Sequence, residues 1–250
     1  MISVKQQSLQ DIPIIEVVDE TLLTHPLPLV VFYHGWRSQK DLVLTQARKL
    51  ANRHLRVVLP DAMNHGDRME PVSSLPSFTF WNSIQGNLAE FDLIIQTYHK
   101  RGLILNDQIG VGGYSMGGMT TGALLTRHPE IKAATIIMGT PSLNAYAQLV
   151  RNYAIKTHVY LPTDMAALTS WIDNFDLNLH PETIAHRPVL FWHGTDDERI
   201  PYTQSRDFFD RIHHEPYANQ VAFITGYQAK HLVKIPLMNK IANFFDYYLN

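Results

Sequence analysis

Short runs rich in β-branched residues recur along this chain, and segments of helix length separate them. The runs cover residues 12–18, 29–33, 56–59, 109–113, 135–138, 188–192 and 221–224. Between them, residues 41–53 place Leu42, Leu44, Ala47, Leu50 and Ala51 at helical spacing. Further helices are predicted over 80–100, behind Ser115, over 202–212 and over 234–249. Strands alternating with helices, several of the strands apolar throughout, require a mostly parallel sheet covered on both faces. In such sheets ligands gather beyond the carboxyl ends of the strands, so the residues just after each run are the candidates for function.

One stretch breaks the alternation. Residues 141–187 put 47 positions between two strands, with helix-like pieces over 143–155 and 163–175 and five aromatics: Tyr146, Tyr153, Tyr160, Trp171 and Phe175. A crossover of that length is too long for a bare loop and is expected to form a small helical cap. The 250 residues otherwise read as one domain, long enough to bury a large core.

After the run at 109–113 the chain reads Gly113-Tyr114-Ser115-Met116-Gly117-Gly118. The G-x-S-x-G pattern sets a serine on a tight strand-to-helix turn that lifts its hydroxyl clear of the backbone. Alone it is weak, since roughly one random chain of this length in twelve carries it. Its position at a strand end is what distinguishes it from a chance glycine turn.

A serine hydroxyl is a poor nucleophile until a base takes its proton and a third group orients that base. The acid and the histidine should follow the serine and sit at strand ends. The loop after 135–138 offers no acid, whereas the one after 188–192 offers Asp196, Asp197 and Glu198. Of the later histidines, His213 and His214 end a helix, while His231 lies between the last strand and the last helix. A tetrahedral oxyanion also needs backbone donors. Those expected are the N–H groups of Met116, after the serine, and of Trp36, in the turn His34-Gly35-Trp36. His34 and Tyr114 are the candidate substrate-contacting side chains.

Composition narrows the classes. The chain has no cysteine, which removes thiol catalysis and disulfides. A net charge of −2 gives no reason to expect nucleic acid or an anionic membrane. The 13 histidines are scattered and no phosphate-binding G-x-x-x-x-G-K-[ST] loop is present, so neither metal nor cofactor is expected. The opening Met1-Ile2-Ser3-Val4-Lys5 lacks the pattern of a signal peptide, and a cytoplasmic location is the expectation.

Together these residues resemble the α/β-hydrolase superfamily, and within it the small bacterial carboxylesterases related to dienelactone hydrolases and to prolyl oligopeptidase-type catalytic domains. The matching blocks are Phe32-Tyr33-His34-Gly35, Pro60-Asp61-Ala62 with His65-Gly66, residues 112–118, and Trp192-His193-Gly194 through Pro201. The resemblance implies a sheet of about eight strands and an acid loop of the form H-G-x-x-D-x-x-[VI]-P. That form aligns its aspartate with Asp197 rather than Asp196. It further implies Trp36 and Met116 as the oxyanion donors and a small-molecule ester as substrate, hydrolysed by Ser115, His231 and Asp197. A peptidase, a thioesterase or acyltransferase, and a catalytically silent binder on the same fold are the alternatives.

Overall fold

The computed structural model describes residues 1–250. Its strands are β1 (Ile2–Leu9), β2 (Ile12–Asp19), β3 (Leu27–Tyr33), β4 (Arg56–Pro60), β5 (Ile104–Tyr114), β6 (Ile131–Ile137), β7 (Val189–Gly194) and β8 (Val221–Gly226). Its helices are α1 (Leu44–Ala51), α2 (Pro76–Lys100), α3 (Met116–Leu125), α4 (Leu143–Lys156), the single turn α5 (Met165–Leu168), α6 (Tyr202–Ile212) and α7 (Ile235–Leu249).

The strands form one sheet in the order β1-β2-β4-β3-β5-β6-β7-β8. From β4 through β8 every pairing is parallel, and β2 alone runs the other way, antiparallel to both β1 and β4. Successive side chains of β3 enter opposite cores. Leu29, Val31 and Tyr33 pack with α2 and α3 on one face, Val30 and Phe32 with α1 and α7 on the other. This explains why the run is apolar throughout: both of its faces are interior. The chain order reverses across β4-β3-β5, so the ends of β3 and β5 lie side by side at the switch point where a crevice opens.

Several boundaries differ from the sequence reading. β1 was not foreseen, because Lys5, Gln6 and Ser8 are exposed on an edge strand and leave no apolar run. The expected helix at 41–53 divides into a 3-10 turn (Lys40–Val43) and α1. α2 begins four residues early, at Pro76, where the missing N–H of proline costs nothing. β5 extends back to Ile104 through a bulge at which Asn106 and Asp107 take positive φ. In the 141–187 stretch α4 forms as expected, but the second piece is α5 followed by a 3-10 turn (Ser170–Phe175). Leu143, Ile172, Leu177 and Ile184 anchor the stretch in the larger core.

The antiparallel edge is fastened by a buried ion pair. Arg56 opens β4 with its guanidinium against Glu16 of β2 and accepted by the carbonyls of Leu22, Leu23 and His25 at 3.3, 2.9 and 3.1 Å. The other Glu16 oxygen accepts from Gln7 of β1 at 2.8 Å. Removing one member would strand a buried charge. Arg56→Met is expected to lower unfolding stability by about 3–5 kcal/mol in urea titration. A loss under about 1 kcal/mol would mean the pair is solvated like a surface pair.

Candidate active site

Ser115 joins β5 to α3 with φ 58° and ψ −115°. A residue with a side chain holds that conformation only where its surroundings over-determine it. Two glycines make the surroundings possible. A Cβ on Gly113 would overlap the Gly117 backbone, and one on Gly117 would overlap the carbonyl of Tyr33. α3 therefore approaches the ends of β3 and β5 at backbone contact. The Ser115 N–H donates to Ile137 C=O at 2.9 Å, and its own carbonyl accepts from Met119 N–H at 3.0 Å. The side chain is left facing the crevice.

Two later loops converge on it. The loop after β7 and the loop after β8 are zipped together: Thr195 N–H donates to Gly226 C=O at 2.9 Å, Asp196 N–H to Ala229 C=O at 3.1 Å, and Gln228 N–H to Thr195 Oγ1 at 2.9 Å. Within this frame His231 Nδ1–H donates to Asp197 Oδ2 at 2.6 Å, and Ser115 Oγ–H donates to His231 Nε2 at 2.9 Å. Asp196 is exposed, and its carboxylate accepts only from Thr195 Oγ1, at 2.9 Å.

Asp197 is held ionised. Burial of its side chain would raise its pKa. Hydrogen bonds from His193, His231 and the N–H groups of Ile200 and Arg199 outweigh this and hold the carboxyl well below the usual carboxylate range. His193, fully buried at the end of β7, brings Nε2 to 3.1 Å from Asp197 Oδ2. Its only signal in the sequence is that His193-Gly194 opens the H-G-x-x-D-x-x-[VI]-P pattern, which names no role for the ring.

The N–H of Met116 is the first of α3, and the opening N–H groups of a helix have no partner within it. The Trp36 N–H has no acceptor in the protein either. Both donors flank Ser115: Gly35, one residue before Trp36, approaches so closely that a Cβ there would lie 3.4 Å from Ser115 Cβ.

These features coincide with what comparison finds. A sequence profile of the prolyl oligopeptidase family matches residues 85–250, about two thirds of the chain. The chain belongs to that family. It is 34% identical, over the full length of both chains, to a Bacillus subtilis (strain 168) protein described as "Putative esterase YitV". It is 29% identical to the esterase YjfP of Escherichia coli (strain K12), over 82% of each chain. The structure of TT1662 from Thermus thermophilus superposes with a TM-score of 0.78 at 18% identity, covering 100% of this chain and 99% of that one. The fold is that of the α/β-hydrolases.

Two side chains expected to touch substrate do not reach the crevice of this prolyl oligopeptidase-family chain. Tyr114, one residue before Ser115, points through the sheet to the opposite face. There it packs edge-on to Phe32 and donates its hydroxyl to Gln46 Oε1 at 2.7 Å. His34 is 1% exposed: its Nδ1–H donates to Gly35 C=O at 2.8 Å and its Nε2 accepts from Ala62 N–H at 3.0 Å. Strand alternation sends one of two adjacent residues away from any site on the other face, which corrects Tyr114. A ring with both nitrogens bonded to backbone has none left for substrate, which corrects His34.

The crevice itself is a cavity of about 230 Å³ lined by Ser115, Trp36, Phe80, Tyr146, Arg199 and Ile200 among others. Phe80 stands edge-on to Trp36 at 5.3 Å and tilted to Tyr146 of α4 at 6.0 Å, so one aromatic wall runs from the turn after β3 to the inserted helix.

Burial pushes the His34 pKa down to about 4 from its ordinary 6.5, against partial compensation from the Gly35 carbonyl and from Asp61. Below pH 6.5 the unfolded chain takes up a proton there that the folded chain refuses, so stability falls as the pH drops toward 4. The Asp197 contribution is lost only lower, around and below its ordinary 3.8. The melting temperature should therefore decline between pH 6.5 and 4, and less steeply in His34→Gln, which cannot protonate. Identical slopes in the two proteins would contradict the burial account.

Proposed function

We propose that this chain is a serine carboxylesterase that hydrolyses short-chain, uncharged carboxylic esters through an acyl-enzyme on Ser115. The observation that carries the reading is the continuous relay from Ser115 Oγ through His231 to the Asp197 carboxylate, at 2.9 and 2.6 Å, beside a cavity that Ser115 itself lines. The names of the two esterase relatives support an ester as the substrate.

His231 Nε2 takes the hydroxyl proton as Ser115 Oγ attacks the ester carbonyl. The imidazolium that forms is stabilised by ionised Asp197, which also keeps the proton-bearing nitrogen directed away from Ser115. The carbonyl oxygen becomes an oxyanion and meets the N–H groups of Trp36 and Met116, donors that need not move as charge develops. His231 then gives its proton to the leaving alcohol, and a water attacks the acyl-enzyme by the same route in reverse.

The size of the cavity supports small acyl groups, and its walls are chiefly apolar, with the Arg199 side chain the charged exception. The 141–187 stretch serves as the cap, because Tyr146 and Val150 of α4 form part of the cavity wall. A second cavity of about 270 Å³, beneath the inserted segment, shares Ser77 and Val150 with the first and offers room for the alcohol portion. No helix is long and apolar enough to cross a membrane, and a cytoplasmic small molecule is the substrate this reading expects.

Ser115→Ala should lower p-nitrophenyl acetate turnover by about 10⁴-fold or more while the protein remains folded. Unchanged turnover would remove Ser115 from the mechanism. Across p-nitrophenyl esters, kcat/KM should be highest from acetyl to butyryl and fall by roughly tenfold or more at decanoyl, where the acyl chain outgrows the cavity. A faster p-nitroanilide than p-nitrophenyl ester of the same acyl group would favour a peptidase instead.

A further inference from the structure

The block Pro60-Asp61-Ala62 with His65-Gly66 has so far no part in the reaction, yet its histidine touches the turn that carries a proposed oxyanion donor. His65 is 2% exposed. Its Nδ1 lies 2.9 Å from Met63 C=O, so Nδ1 carries the proton and donates it there. Nε2 is then a lone pair, and it accepts the Arg37 N–H at 3.1 Å. The ring also stands edge-on to Trp36, at 4.9 Å between centroids.

The two peptide units flanking Trp36 are thus both pinned by histidine. The carbonyl of the Gly35–Trp36 unit is held by His34 Nδ1–H at 2.8 Å. A trans peptide is planar, with its N–H directed opposite its C=O, so fixing that carbonyl fixes the direction of the Trp36 N–H. The next unit is held from its N–H side, by His65. This second restraint adds to the bond from Ser38 N–H to Gly35 C=O at 3.2 Å that closes the turn, and it acts directly on Arg37, whose φ of 55° is a left-handed conformation that a non-glycine residue keeps only where something retains it. The arrangement is reciprocal. His34, from the end of β3, accepts from Ala62 beyond β4 at 3.0 Å, and His65, from beyond β4, accepts from the turn after β3 at 3.1 Å.

His65 is itself held in place. The buried Asp61 carboxylate accepts from Lys40 N–H at 2.9 Å, Lys40 Nζ at 2.6 Å and Asp67 N–H at 3.0 Å, which folds the 61–67 loop around it. Gly66, at φ 54°, passes so near Asp61 that a Cβ would collide with the carboxylate. Burial lowers the pKa of His65, as it does that of His34, so both rings keep the neutral form that can accept.

We propose that His65 is a positioning residue for ester hydrolysis, accepting the Arg37 N–H through Nε2 and so holding the Trp36 N–H on the oxyanion of the Ser115 adduct. The proposal rests on the esterase reading. It predicts a loss confined to transition-state stabilisation. In His65→Ala, kcat for p-nitrophenyl acetate should fall by about 10- to 100-fold with KM changed less than threefold, because the donor is misaligned rather than deleted. Inhibition by phenylboronic acid, whose anionic tetrahedral adduct places a boron-bound hydroxyl oxygen at the oxyanion position, should weaken by a similar factor. His65→Gln, whose amide oxygen can reach the Arg37 N–H, should recover most of both.

An Ala variant that lowers kcat while leaving boronate inhibition intact, or a Gln variant no better than Ala, would overturn the proposal. Should the Ala variant not fold, nitrogen-15 NMR of the wild-type imidazoles decides it. His65 should show a protonated Nδ1 and an unprotonated Nε2 at neutral pH, and the opposite tautomer would refute it. Wild-type protein that turned over no ester would remove the esterase reading, while the tautomer would still decide whether His65 retains the turn.

Discussion

The site depends on a backbone conformation that Ser115 could not keep alone. At φ 58° and ψ −115° the residue is strained, and the strain is sustained by three contacts. Gly113 lets the start of α3 fold back over β5, Gly117 lets α3 touch the carbonyl of Tyr33, and the Ser115 N–H is tied to Ile137 on the next strand. Because β3, β5 and β6 are adjacent in the sheet, the turn is braced from both sides. The same closeness leaves the Trp36 turn so near the serine that a Cβ on Gly35 would lie in van der Waals contact with Ser115 Cβ. The proposed nucleophile and the proposed oxyanion donors are thus placed by one packing arrangement.

A second theme is the varied use of histidine. His231 bridges serine and carboxylate, whereas His193 lends its Nε2 edge to the same carboxylate from the end of β7. His34 and His65 contact neither, and instead accept backbone N–H groups across two loops. A buried imidazole can both donate and accept in fixed directions, which suits it to satisfying irregular backbone that has left the sheet ladder. The loops past the strand ends are where such backbone gathers, and three of these four rings are almost wholly buried there.

What the sequence disclosed follows from burial. β3, β4 and β7 are covered on both faces, and their continuous apolar runs announced them. β1 packs along one edge with Lys5 and Gln6 toward solvent, so no apolar pattern marked it. Ser115 and His231 were legible because chain order and strand-end position restrict the candidates. Asp197 against Asp196 was a matter of motif spacing, and the two differ in space by one carboxylate turned inward and one turned out. His34 and Tyr114 could not be placed from composition or period. Whether a residue at a strand end faces the crevice depends on a one-residue alternation and on the turn that follows, and both are settled by partners distant in the chain. His65 belongs to a recognisable block, but its contact with Arg37 spans 28 positions and leaves no local signature.

The central claim is that Ser115 is the residue acylated. It is tested most directly by treating the folded protein with a fluorophosphonate and mapping the adduct by mass spectrometry. The account predicts a single adduct on Ser115, none in Ser115→Ala, and slowed labelling in His231→Ala, since the attacking hydroxyl loses its base. An adduct on another serine, or none on folded wild-type protein, would contradict it.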